Sequence, residues 1–262
     1  MIQAPSRTVL RHACCSVWAH PLARLLLGER MHPGGEDTTA ATINTLGLHR
    51  GSVVLDVGCG GGLGMHSLTG EGLTAVGVDL SFDAAKAAAE VAPTVVGAAE
   101  TLPLQDGCFD GVIAECVVSF IPDKEIAVRG LNRIVRSGGR LALTDVTLEG
   151  ELPLPLDPLT SWSACVGGAL ESSGYVELLR GAGFGEVRTV SLDLELAALL
   201  SQVRRRLALA EMAARAGRID LEAMHSGLGP EAFTRGRDLI SLGIQAVEEG
   251  TLGYKLFSAT RT

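Results

Sequence analysis

An apolar run that carries one acid and then breaks into glycines constrains this chain more than any other feature. Val53-Val54-Leu55-Asp56-Val57 is followed by Gly58-Cys59-Gly60-Gly61-Gly62 and then by a helical stretch to about Leu68. An almost wholly apolar strand is one buried on both faces, as in a mainly parallel sheet covered by helices. Glycines at the turn from strand to helix let the backbone approach a ligand, because no Cβ intervenes. A dinucleotide loop would need glycine where Leu63 stands, counting from Gly58 and Gly60. Instead an acidic residue lies two positions before the first glycine, in the pattern D-x-G-x-G-x-G.

From Gly51 onward, short β-like runs alternate with helical stretches, which predicts a parallel sheet with helices on both faces. The expected strands are Ser52–Val57, Thr74–Asp79, a short Val95–Val96, Gly111–Glu115, Arg140–Val146, Glu186–Leu192 and Gly253–Ala259. Ser81 can cap the alanine-rich helix after the second strand, and Asp123 the helix that runs to Val135. Residues 1–50 read as an N-terminal helical cap, and 51–262 as one domain. Between the sixth and seventh strands, about 194–250 is too long for an ordinary loop and reads as a helical insert. A sixth strand parallel to its neighbours would send this insert out above the carboxyl edge of the sheet, as a lid. Leu196, Leu199, Leu200, Val203 and Leu207 recur at helical spacing and are expected to face inward.

Composition narrows the partners. A net charge of −8 argues against nucleic acid, and the one basic run, Arg204-Arg205-Arg206, reads as a solvated helix face. No apolar stretch is long enough to span a bilayer, and Arg7, Arg11, His12, His20 and Arg24 interrupt any signal-peptide core. A cytoplasmic protein is the expectation, with its six cysteines as thiols. They form no CxxC pair, which argues against structural zinc.

Asp79 ends the second strand about twenty residues past the glycines, where a carboxylate can accept ribose hydroxyls. Gly97-Ala98-Ala99-Glu100-Thr101-Leu102-Pro103 follows the third strand. These three segments resemble the motifs of class I S-adenosylmethionine-dependent methyltransferases. The resemblance implies a doubly wound, mainly parallel seven-stranded sheet and S-adenosyl-L-methionine as cofactor. It assigns the cofactor to Asp56, Gly58, Gly60, Gly62, Asp79, Leu80, Ala99, Glu100 and Glu115. Ala98 departs from the family's acidic residue at the adenine pocket, while the backbone amide of Ala99 survives that change.

Cys116 follows the fourth strand, and the loop after the fifth carries Cys165, so topology puts both near the working edge of the sheet. Packing is the ordinary use of a buried free cysteine. Glu115-Cys116-Val117-Val118-Ser119-Phe120-Ile121-Pro122-Asp123-Lys124 and Cys165-Val166-Gly167-Gly168-Ala169-Leu170 are, however, similar to the two cysteine segments of arsenite methyltransferases. That resemblance implies that Cys116 and Cys165 bind trivalent arsenic, a soft centre suited to thiolates. The family's further cysteine, upstream of the glycine loop, has no counterpart in Met31–Arg50; Cys14 and Cys15 are candidates for it, with simple packing as the alternative. Glu115 replaces the family's asparagine. Cys59 and Cys108 have no assigned role.

Three functions stay open on the sequence. One is methyl transfer to a soft, thiol-bound acceptor, with trivalent arsenic first. Another is C- or O-methylation of a small apolar metabolite such as a quinol. The third is non-catalytic cofactor binding.

Overall fold

The computed structural model describes residues 21–151, 165–218 and 230–262. Its strands are β1 (Val53–Val57), β2 (Thr74–Asp79), β3 (Thr94–Val96), β4 (Phe109–Glu115), β5 (Val135–Leu148), β6 (Phe184–Ser191) and β7 (Leu252–Arg261). They form one sheet in the order β3-β2-β1-β4-β5-β7-β6. The first five run parallel, and β7 pairs antiparallel with both β5 and β6. Strand order reverses between β1 and β4, so their carboxyl ends open the crevice in which ligands of such sheets bind.

The helices are α1 (Pro21–Leu27), α2 (Gly35–Leu46), α3 (Leu63–Gly70), α4 (Phe82–Ala88), α5 (Lys124–Ile134), α6 (Ser172–Gly181), α7 (Asp193–Arg215) and α8 (Pro230–Glu248). Alternate strand residues serve opposite faces, as the two-residue period of a strand requires. Val54, Ile113, Ala142 and Tyr254 pack with Ile43 and Leu46 of α2, Met65 and Leu68 of α3, and Leu196 and Ala246 of α7 and α8. Leu55, Val112, Leu143 and Phe257 pack on the other face with Val128 and Leu131 of α5 and Tyr175 and Leu179 of α6. Each face thus has its own helical layer, which makes the fold doubly wound.

Two expectations need correction. Ser81 does cap α4, accepting from the Ala84 amide at 3.3 Å, but Asp123 makes no cap hydrogen bond to α5. The reason is backbone geometry: Asp123 sits at φ −105°, ψ 67°, outside the extended conformation that Ser81 adopts. The sixth strand is not parallel to its neighbour, since β7 lies between it and β5 and runs antiparallel to both. Its direction is nonetheless that of β5, so α7 still leaves from the carboxyl edge.

Along α7, Leu196, Val203 and Leu207 are buried, while Leu199 and Leu200 are partly so. Arg204 and Arg205 are exposed. Arg206 instead donates to the Leu26 carbonyl at 2.9 Å and ties α7 to α1. Cys14, Cys15 and the segment 152–164 lie outside the described residues.

Candidate active site

The glycine loop joins β1 to α3, and its alternate glycines Gly58, Gly60 and Gly62 all take positive φ, at 69°, 53° and 88°. The requirement is strictest at Gly58, where a Cβ would stand 2.2 Å from Val117 Cγ2, on the loop after β4. Only glycine combines that backbone with that approach. Asp79 holds the loop from the end of β2: its Oδ2 accepts from the Gly60 amide at 2.9 Å and its Oδ1 from the Ser81 amide at 2.8 Å. Each oxygen keeps a further lone pair for a ligand.

The loop floors a pocket of about 590 Å³, within the usual range for small-molecule sites. Every residue assigned to the cofactor from sequence except Gly62 lines it: Asp56, Gly58, Gly60, Asp79, Leu80, Ala99, Glu100 and Glu115. Gly62 is packed instead against α4, where a Cβ would meet the Ala88 backbone at 3.1 Å. Cys116 also lines the pocket.

Two acids form the pocket's inner end. Asp56 is 4% exposed, and burial first, then the nearby charges of Glu115 and Asp79, push its carboxyl well above the ordinary range. Gly64, in the first turn of α3, leaves room for it: a Cβ there would lie 2.6 Å from Asp56 Oδ2. Burial likewise raises the Glu115 carboxyl, against the opposing effects of His32, Thr39, Arg30 and Thr42. Thr39 donates to Glu115 Oε2 at 3.0 Å, and His32 Nε2 stands 3.8 Å from the same oxygen.

Sequence reasoning missed this contribution of residues 30–39. Arg30, Met31 and His32 line the pocket, and Arg30 donates to Thr39 at 3.2 Å and Ser67 at 2.9 Å. A signal was present in α2, whose inward face carries Thr38, Thr39 and Thr42 beside Ile43 and Leu46. Threonines on a buried helix face imply polar partners opposite them.

The two cysteines assigned to the acceptor lie together. Cys116 Sγ and Cys165 Sγ are 3.5 Å apart, Cys116 half-buried and Cys165 buried. The Cys116 amide donates to the Thr144 carbonyl of β5 at 2.7 Å. The Cys165 segment docks along the same strand end through a Thr147–Leu170 bridge and a Leu148 amide bond to the Leu170 carbonyl at 3.0 Å. Beneath them, the Tyr254 hydroxyl donates to Thr144 Oγ1 at 2.7 Å and that of Tyr175 to the Val146 carbonyl at 3.1 Å.

Asp145 anchors the turn after Cys116, accepting from the Ser119 amide at 2.8 Å and from its neighbour Val146 at 2.8 Å. Full burial pushes its carboxyl up to about 6, although both amide bonds and Lys124 favour the charged form. Both cysteines occupy left-handed backbone, at φ 56° and 63°. Among the described residues only Met31 and Glu186 share that conformation without being glycine. Such strain is held in place by surrounding structure and concentrates where geometry serves function.

Cys59 packs between the loop and Gly77, and burial raises its thiol. Cys108 is exposed. Among the described residues no group of three or more metal-ligating side chains occurs, and no helix is long and apolar enough to cross a membrane.

A methyltransferase domain family model matches residues 55–143, from β1 through β5. The chain is 28% identical over 202 residues to an arsenite methyltransferase of Aquipseudomonas alcaligenes, covering 68% of this chain and 57% of that protein. It is 30% identical over 162 residues to a 2-methyl-6-phytyl-1,4-hydroquinone methyltransferase of Synechocystis, covering 56% and 50%. The chain thus spans about half the length of these curated relatives. Among solved structures it resembles a Haemonchus contortus phosphoethanolamine N-methyltransferase bound to S-adenosylhomocysteine, with a TM-score of 0.74 at 18% identity, covering 98% of this chain and 60% of that one. Together the domain model and the methyltransferase relatives support a class I S-adenosylmethionine-dependent methyltransferase, and the solved structures share its fold.

Proposed function

We propose that this protein transfers a methyl group from S-adenosylmethionine to a soft acceptor held by Cys116 and Cys165, with trivalent arsenic as that acceptor. The observation that carries the reading is the 3.5 Å separation of two thiols beside the cofactor pocket, both on left-handed backbone. Packing alone makes no such demand on two cysteines.

The residues of the pocket suit the cofactor. The glycine loop offers bare backbone, Asp79 offers lone pairs to a ribose, and Ala99 and Glu100 border the space left for an adenine. Bound there, S-adenosylmethionine supplies an electrophilic methyl group on a sulfonium. The remaining work falls to the chain. Arsenous acid and two thiols give two arsenic–sulfur bonds and two waters, with no change of oxidation state. Arsenic held in this way keeps one hydroxyl and its lone pair, so no base is needed to strip a proton from the acceptor. Orientation of that lone pair is then the main catalytic contribution of the protein.

Methylation of a quinol carbon or oxygen is the second reading. The similarity to a hydroquinone methyltransferase supports it, as does the Glu115–His32–Thr39 cluster, which could take a proton from a hydroxyl. Transfer from labelled S-adenosylmethionine to arsenite, free thiols and quinols separates the two. Arsenite methylation that disappears in both Cys116→Ser and Cys165→Ser supports the first. Quinol methylation at the normal rate by the double variant, with none of arsenite by the unaltered protein, would replace it with the second.

A further inference from the structure

Two charged side chains from distant elements grip one peptide unit beside the thiol pair. Asp145 of β5 is fully buried, and its Oδ2 accepts from the Ser119 amide at 2.8 Å. Lys124, the first residue of α5, donates from Nζ to the Ser119 carbonyl at 3.3 Å and to the Ile121 carbonyl at 2.9 Å. Ser119 is itself wholly buried, in the middle of the single 3₁₀ turn Val118–Phe120. Its N–H therefore rests on a carboxylate and its C=O on an ammonium.

Local preference would put neither charge there. Burial works against both, raising the Asp145 carboxyl and lowering the Lys124 amine. At the start of a helix the dipole also favours an acid over a cation. Buried charges of this kind add little net stability, whereas one left without its partners is costly, so they restrict a segment to one geometry more than they strengthen it.

The segment so restricted is a wall of the pocket. Cys116, Val117, Phe120 and Ile121 line it, on either side of the gripped residue. Cys116 takes left-handed backbone at φ 56°, a conformation that persists only where its surroundings impose it. Val117 fills the space that a Cβ on Gly58 would need, so the glycine loop blocks movement of the segment on that side.

We propose that Lys124 and Asp145 are positioning residues for the acceptor: by holding both ends of the Ser119 peptide they keep Cys116 Sγ within reach of Cys165 Sγ. The proposal rests on the reading of these thiols as the acceptor site. It adds to that site two side chains that act only through the backbone.

The test measures how readily the two sulfurs meet, with and without the clamp. The protein used carries serine at every cysteine other than Cys116 and Cys165. One equivalent of dithiobis(nitrobenzoate) forms a mixed disulfide at one thiol and releases one aromatic thiolate. Attack by the second thiol releases another and closes a Cys116–Cys165 disulfide. That second release needs neither arsenic nor cofactor. Lys124→Met is expected to slow it by at least about ten-fold, and Lys124→Arg, which keeps the donors, by no more than about three-fold. Asp145→Asn, with one accepting oxygen in place of two, should slow it as Lys124→Met does. Calorimetric affinity for S-adenosylhomocysteine should stay within about three-fold throughout, because Asp79 holds the cofactor loop separately.

An unchanged second release in Lys124→Met or Asp145→Asn would overturn the proposal. Loss of S-adenosylhomocysteine binding alongside the slowed release, or failure of both variants to fold, would make the pair a general support of the fold and overturn it as well. Where one variant fails to fold, the other decides. Failure of the unaltered protein to bind phenylarsenous acid, with the releases as expected, would overturn the arsenic reading and leave the clamp standing.

Discussion

Cys116 and Cys165, forty-nine residues apart in the chain, bring their sulfur atoms to 3.5 Å at the carboxyl end of β5. Neither local sequence sets that distance. Cys116 is fixed by its amide bond to Thr144 and by the turn that Asp145 anchors, and Cys165 by the bridge from Leu170 to Thr147. One strand end thus serves as the common template for both thiols.

The pair is expected to chelate a trivalent arsenical one to one. Either Cys116→Ser or Cys165→Ser should weaken that binding on the order of a hundred-fold, because the second bond forms at the high effective concentration that the fold provides. Cys59→Ser and Cys108→Ser should leave it unchanged. Titration with phenylarsenous acid, followed by calorimetry or mass spectrometry, reads both results. Equal affinity in a single variant would exclude two-point binding.

Gly58→Ala is expected to destabilise the protein by about 1–3 kcal/mol, from left-handed backbone and the clash with Val117 Cγ2 at 2.2 Å. Because Val117 adjoins Cys116, the variant should also weaken arsenical binding. Gly61→Ala, with open space about its Cβ, should stay within about 0.5 kcal/mol. Denaturant unfolding of the two variants side by side gives the comparison.

Asp79→Ala is expected to weaken S-adenosylhomocysteine binding by about 1–3 kcal/mol, the cost of a charged hydrogen-bond acceptor. The same substitution frees the Gly60 amide held at 2.9 Å, so exchange of that amide with solvent should speed up. Calorimetry and hydrogen exchange follow the two effects separately. Unchanged affinity would remove Asp79 from the ribose site.

Asp145 gives a pH dependence of known sign. Its folded carboxyl lies at about 6, above the ordinary 3.8, so the native state holds this proton more tightly than the unfolded chain. The resulting stabilisation is complete below about pH 4 and is lost as pH rises through about 6. Relative to Asp145→Asn, the unaltered protein should therefore lose on the order of 2–3 kcal/mol across that window. Unfolding free energies of both proteins at several pH values measure the difference. A difference that stays flat between pH 4 and 6 would contradict the raised pKa.

The local features were legible in the sequence because each is written in a short segment. The apolar run before Gly58 sets a buried strand, β2 runs from Thr74 to Asp79 as expected, and Ser81 caps α4 as its side chain allows. The glycine pattern reported a loop whose alternate residues need positive φ, and backbone sterics alone decide that. Resemblance then added the roles of Cys116 and Cys165, which spacing by itself could not supply. What only the tertiary structure decided depends on contacts between distant segments. The insertion of β7 between β5 and β6 reverses one strand pairing without leaving a mark in the residues of β6. His32 and Thr39 reach Glu115 because the segment around α2 packs across the end of β4, and nothing in its sequence names that partner. Hydrophobic pattern and turn chemistry act over a few residues, whereas the partner of a buried charge is chosen by the packing of whole elements.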